Sequence, residues 1–387
     1  MNTHPTVQKL QALVALTLAA VAPSSFAQPL TIPGADGSDG ALIVTASTNI
    51  DLSLAVTGVW SNNNAGNAGK GIYDPDKWAV VFKYTSVSIA SGATVTFSNH
   101  LTHAPVVWLV SSNVTIDGTL SLDGQPSPGS AFVNPEPGPG GFRGGAYDNS
   151  AYGLGQGPGY GPGGVSADRG SYSTYHSYGN ARIVPLIGGS GGGPGGGGGG
   201  AILMAASGDI TVNGLCRANN SSGGYPGSGG AIRCIANQIS GAGRFDTTAY
   251  YPGRVRIETT LLSPTITTDP PTVAAPPTPV VLWPDAAAPT VKVVSVAGLN
   301  VPPDPKASMT PPFADLTLEN KNAVTIMLQT QNFSTNGTVN VYIKPHNTSQ
   351  SILPATYVSG NASNATWQVT TTLQPNYTVI QARVFSD

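Results

Sequence analysis

Charge is what this chain has least of. Charged residues make up 9% of its 387 positions and the formal net charge is −2, whereas ordinary soluble domains carry about a quarter. That excludes the basic stripe of a nucleic-acid binder and any charge block that would recruit an electrostatic partner. Glutamate occurs only as Glu136, Glu258 and Glu319. Glu136 lies among prolines and Glu258 in an alternating stretch, so the two converging carboxyl groups of a glycosidase are not expected. No cofactor motif is found.

Other absences narrow the chemistry further. No GxSxG stands between a strand and a helix, which removes the usual serine nucleophile. His100-Leu-Thr-His103 has a metal-ligand gap, but no cysteine or third histidine lies near it, so a surface turn is the better reading. Asp117, Asp123, Asp209 and Asp246 recur at or near turns, where aspartate is favoured by local hydrogen bonding alone; a lyase would use such carboxylates for Ca²⁺. The two cysteines, Cys216 and Cys234, are either a disulfide pair or two small inward-facing hydrophobes.

No apolar run is long enough to cross a bilayer comfortably. The longest, Leu10 to Ala22, follows Lys9 and precedes Pro23 and the small-residue site Ser25-Phe26-Ala27, the order of parts in a secretory signal. Cleavage before Gln28 and a secreted or cell-surface address, of bacterial style, are the expectation, with no membrane-spanning segment left after the signal is removed.

What the chain does have is glycine, 49 residues of it. The densest stretch, Gly188 to Ala206, reads GGSGGGPGGGGGGAILMAA: a nearly pure glycine run that ends abruptly in an apolar strand. It lacks the Lys-Ser/Thr of a phosphate-binding loop and the three-residue period of collagen. A run like this is a floppy tether or a tightly packed ribbon, and the strand abutting it favours the ribbon.

Around that run a short unit recurs. Val87-Ser-Ile89 and Val95-Thr-Phe97 flank a turn at Gly92; Val114-Thr-Ile116 and Leu120-Ser-Leu122 flank Asp117-Gly118; Ile210-Thr-Val212 and Cys216-Arg-Ala218 flank Asn213-Gly214; Ile239-Ser-Gly241 and Phe245-Asp-Thr247 flank Gly243. Period-two alternation inside each unit predicts the stacks Val87/Val114/Ile210/Ile239 and Val95/Leu120/Cys216/Phe245. A further strand precedes three units, at 106–110, 201–206 and 231–236. Units of this kind cannot bury an apolar face without a neighbour. The expected fold class is therefore all-β, a glycine-rich parallel β-solenoid (β-helix); an antiparallel barrel or sandwich is the alternative.

The expected domains are a signal peptide at 1–27, a polar capping segment at 28–77 with one strand near 42–44, the solenoid at 78–261 and a Pro-rich linker at 262–290. Residues 291–387 complete the chain as a small immunoglobulin-like β-sandwich, with strands at 291–296, 314–318, 324–328, 338–343, 367–371 and 379–384. The solenoid is interrupted at 124–200, which holds 27 of the 49 glycines. That excursion is expected to lie extended on the solenoid flank, at roughly 3 Å per residue.

The ordered motifs VVWLVSSNVTIDGTLSLDG, GPGGFRGG, GGSGGG, GGGAILMAA, GSGGAIR and GRVRIE, over about 75–260, resemble uncharacterised glycine-rich secreted proteins of environmental bacteria. The wider pattern is similar to parallel β-helix proteins, pectate-lyase-like enzymes and surface adhesins among them. The resemblance implies the fold and an extracellular setting; it carries no activity.

Aromatic residues supply the candidate binding face. Nine of the 14 tyrosines lie between Tyr147 and Tyr251. Phe142, Arg143, Tyr147, Asp168, Arg169, Tyr175, His176 and Tyr178 put rings beside hydrogen-bonding groups within the glycine-rich excursion. Such rings suit a sugar or a protein partner, or they anchor the excursion to the solenoid. The function expected is non-enzymatic display of a binding face for an extracellular glycan or surface protein. The alternatives are a polysaccharide-active enzyme of the pectate-lyase-like type and a coat or filament subunit.

Overall fold

The computed structural model of the chain describes residues 30–126, 135–145, 159–163, 178–192, 196–221, 226–269, 271–276, 278–302, 314–319, 322–345, 349–375 and 377–385. The signal peptide expected at 1–27 and the residues Tyr147, Asp168, Arg169, Tyr175 and His176 lie outside them. Among the described residues there is no α-helix, only strands and two 3-10 turns, Leu52–Leu54 and Ala65–Asn67.

Strands from successive repeats pair in parallel, in three ladders that follow one another along each repeat. The first runs through the N-terminal half of Ala79–Ile89, then Val106–Val110, Ala201–Ala206, Ala231–Ile235, Arg254–Glu258 and Pro271–Ala274. The second runs through Gly40–Val44, the C-terminal half of Ala79–Ile89, Val114–Ile116, Ile210–Val212, Gln238–Ser240 and Leu261–Leu262. The third joins Thr48–Asp51, Thr94–Ser98, Thr119–Ser121, Leu215–Arg217, Arg244–Asp246 and Thr267–Asp269. Parallel pairing at this scale rules out the up-and-down antiparallel alternative.

Both stacks read from the alternation are present. Val87 pairs with Val114, Val114 with Ile210 and Ile210 with Ile239; Val95, Leu120, Cys216 and Phe245 pair likewise. All eight side chains are buried in one apolar cluster, together with the column Phe82, Trp108, Met204, Cys234 and Ile257 from the first ladder. The turns between strands stack as well: a methyl group on Gly214 would overlap the Gly118 carbonyl oxygen, so the turn position stays glycine.

The first ladder is buried on both faces, which explains why AILMAA and VVWLV are continuously apolar. Its outer face carries a second cluster, Val81, Val107, Leu109, Leu203, Ala205 and Ile235, covered by Ile32 and Leu282 with Trp60 and Trp283. The cover comes from the two stretches read as cap and spacer. Residues 40–51 are the first rungs of two ladders, and Leu52 beyond them is completely buried. The Pro-rich stretch is no bare tether: Thr267–Asp269 and Pro271–Ala274 add rungs, and Leu282 and Trp283 return to the sheet because apolar surface outweighs the extended bias of their prolines.

The described segments of the glycine-rich excursion, 124–126, 135–145, 159–163, 178–192 and 196–200, are hydrogen-bonded to one another. In 196–200, the amides of Gly197 and Gly200, three residues apart, both donate to the segment 122–126, at the Gln125 and Leu122 carbonyls. Gly198 donates to Phe142, and Gly199 to Ser228. The same period recurs in 188–192, where Gly189 and Gly192 both donate to 196–199 while Gly188 and Gly191 turn to Gly140 and Tyr160. Three residues per turn is the pitch of a polyproline-II-type chain. Here the extended chains bond sideways to several neighbours rather than remaining solvated. At Gly191 and Gly198 a methyl group would fall on the carbonyl oxygens of Arg143 and Gly189, which is why side chains are missing. The described segments of the excursion thus form an ordered layer, continuous with the first ladder through Gly200-Ala201.

The C-terminal region forms two antiparallel sheets over one core. Leu299–Asn300, Thr290–Val296, Val324–Gln331, Asn364–Thr371 and Thr356–Asn361 make the five-stranded sheet. Ser351–Pro354, Thr338–Pro345 and Thr378–Phe385 make the three-stranded one. Ile326, Leu328, Val339, Val341 and Trp367 are buried together, and the Trp367 indole donates to Thr330 Oγ1 at 2.9 Å. The strand expected at 314–318 is absent: residues 314–319 are described and form no strand. Thr356–Asn361, not among the expected strands, is an edge strand exposed at every position. It shows no alternation because neither of its faces is covered.

Candidate functional site

Of the expected ligand residues, Phe142 and Arg143 turn inward. Phe142 is half-buried, with its ring under Gly161 and 6.4 Å from Trp78. Arg143 is 2% exposed and stands over the Tyr160 ring at 5.2 Å. Burial lowers its pKa, opposed by Tyr160, Glu136, Asp315 and Tyr377 around it. Asp315 and Tyr377 belong to the C-terminal region, and Gln381 of the same region donates to the Pro162 carbonyl at 2.7 Å. This side of the glycine layer is therefore where the C-terminal region docks, and the anchoring role fits Phe142 and Arg143.

Tyr178 sits differently. It is half-buried on the wall of a cavity of about 260 Å³ lined by Gly163 and by residues of 178–191, 228–231 and 251–254. The Tyr178 hydroxyl donates to the Gly188 carbonyl at 2.6 Å and lies 3.4 Å from Ser228 Oγ. Burial raises its pKa, so it remains a neutral donor. The Ser190 amide donates to Ser228 Oγ, and Ser190 Oγ accepts from the Gly163 amide, both at 2.8 Å. Arg254 donates to the Tyr178 carbonyl; Ile183, Pro185, Ile187 and Tyr251 supply the apolar wall. Ser190, Ser228, Tyr251 and Arg254 were not among the residues expected from the sequence, because the segments that carry them are far apart in the chain. The adjacent rings of Tyr250-Tyr251 beside Pro-Gly-Arg were the available signal.

The acidic residues hold turns and ion pairs. Asp117 accepts from Asn213 Nδ2 at 2.8 Å; Asp123 accepts from the Asn219 amide and pairs with Arg217 at 2.8 Å. Asp246 accepts from the Thr248 amide. His103 Nε2 lies 3.0 Å from Glu136 Oε2, and His100 stacks on Tyr73 with centroids 4.1 Å apart. Burial pushes the Glu136 carboxyl up, but the hydrogen bond and charge of His103 outweigh it and hold the pKa below the ordinary value. Glu258 is engaged by Arg233 and Arg256. Among the described residues no three His, Cys, Asp or Glu side chains converge as metal ligands.

Cys216 and Cys234 are free thiols in this structure, both inward and fully buried, and burial raises both pKa values. They sit as hydrophobes, Cys216 between Leu120 and Phe245, Cys234 between Met204 and Ile257. Among the described residues no helix is long and apolar enough to cross a membrane. Comparison with known proteins returns nothing: no family model, no curated protein and no solved structure matches.

Proposed function

We propose that this chain is an exported, non-enzymatic protein that displays a binding face outside the cell, with an extracellular glycan as its ligand. In this reading the successive repeats are coils of a β-solenoid, the three ladders are its faces, and the C-terminal sheets are an immunoglobulin-like module docked on its glycine layer. The single observation that carries it is the cavity lined in part by that layer. Tyr178, Ser190 and Ser228 line the same cavity as Tyr251 and aliphatic side chains, the mixture of polar tips and flat apolar surface that sugar rings require. The carboxylates nearest to enzyme-like positions are spent on turns and ion pairs, which speaks for retention of a glycan rather than its cleavage.

The test is depletion from a panel of plant and bacterial glycans by the purified mature chain. Retention on a subset without new reducing or unsaturated ends is the expected result. Release of such ends would replace this reading with a polysaccharide-active enzyme, and retention on none of the panel would remove the glycan.

A further inference from the structure

The cavity holds one feature that a neutral sugar does not call for. Arg254 lines it, half-buried, and donates to a carbonyl, that of Tyr178. Among the described residues no carboxylate pairs with Arg254, and no Asp or Glu lines the cavity. The neighbouring charge has the same sign. Arg233 and Arg256 share a single carboxylate, Glu258, and Arg256 also donates to the Ala181 carbonyl at 3.2 Å, next to the exposed Arg182. In a chain this poor in charge, an arginine on a cavity wall, two residues along its strand from Arg256, is a local departure from the whole.

We propose that the cavity binds the carboxylated sugar of an acidic glycan, with Arg254 receiving the carboxylate and the serine hydroxyls meeting the ring hydroxyls. The proposal rests on the glycan reading above and makes it specific. A guanidinium offers several coplanar donors that match a carboxylate, and a desolvated wall strengthens such a contact over its value in water. The glycine amides around Ser190 and Ser228 leave the wall without projecting side chains, so a ring can approach the backbone. Tyr251 supplies the flat face. At about 260 Å³ the cavity suits one sugar ring rather than a chain lying lengthwise, which places the recognised unit at a branch or an end.

The measurement uses the mature protein and a matched pair of probes, glucuronate and glucose, which differ at one carbon: carboxylate against hydroxymethyl. Titration followed by NMR or calorimetry is expected to show glucuronate bound at least about tenfold more tightly than glucose, the discrimination expected of one charge-assisted contact. Added salt should narrow the gap. Arg254→Gln should abolish the preference, Arg254→Lys should keep part of it, and both variants should melt with the wild type, separating lost charge from lost fold. Equal binding of the two sugars, no binding of glucuronate, or a preference that survives Arg254→Gln would overturn the acidic-sugar proposal. Retention on neutral glycans of the panel with that outcome would leave the display function standing; loss of retention on every glycan would end both.

Discussion

Gly198→Ala is expected to destabilise the protein by about 3 kcal/mol or more, at the upper end of what one added methyl group costs in a packed interior. Gly198 is buried in the middle of the glycine layer; its amide donates to the Phe142 carbonyl and its own carbonyl accepts from Gly138. A Cβ there would overlap the carbonyl oxygen of Gly189, with Ser190 close behind. These are backbone atoms, held by their own bonds to Gly199 and Ser228, so no side chain can swing away to make room. Relief requires separating three segments and losing their hydrogen bonds. The control is Gly66→Ala: Gly66 is exposed, has open space where its Cβ would go, and should change stability by no more than about 0.5 kcal/mol. Were the run a tether, Ala at position 198 would be neutral or mildly stabilising, because it would only reduce the freedom of the unfolded chain. Denaturant unfolding of the two variants measures the difference.

Glu258→Ala is the second large effect. Glu258 and Arg233 are 1% and 2% exposed. Arg233 Nη2 reaches both carboxylate oxygens at 3.1 Å, Arg256 takes the same carboxylate, and Arg233 also donates to the Val281 carbonyl at 2.6 Å. The intact cluster need add little to stability, since desolvation offsets the attraction. Removing its only anion leaves a buried guanidinium uncompensated, which costs about 3–5 kcal/mol. The loss should be accompanied by faster proteolysis around Val281, where Arg233 ties the chain to the outer face of the first ladder. Adding Arg233→Met to Glu258→Ala should restore a large part of the stability, because the outer face there is otherwise apolar. A double variant no better than the single one would show that the cost is a packing defect and not the stranded charge.

How much of this could be read in advance depends on which chemistry carries each part. The ladder columns are written in side chains: Val114-Thr-Ile116 and Ile210-Thr-Val212 alternate with period two, and the Gly118 and Gly214 turns mark where one strand gives way to the next. Both inner stacks could be paired without coordinates for that reason. The glycine layer is written in backbone. Nothing in GGGPGGGGGG distinguishes a segment bonded to several neighbours from a solvated ribbon, because the partners, 122–126, 138–142 and 228–231, are set by the closure of the repeats. Leu282 and Trp283 were visible as the apolar residues of a Pro-rich stretch, yet extended bias dominated the reading. At the cavity the same division applies: Tyr178 stood out as a ring in a glycine-rich setting, whereas Ser190, Ser228 and Arg254 acquire meaning only when three segments meet.

The central claim is that the glycine segments 188–192 and 196–200 belong to an ordered, internally bonded layer and not to a flexible loop. Amide hydrogen exchange read by mass spectrometry over residues 186–200 measures this directly. Protection of Gly188–Gly192 and Gly196–Gly200 comparable to that of the adjoining strand Ala201–Ala206 is the result expected, since the same carbonyl bonds shield both. Exchange of those glycine amides at the rate of an unstructured peptide, with the strand still protected, would contradict it.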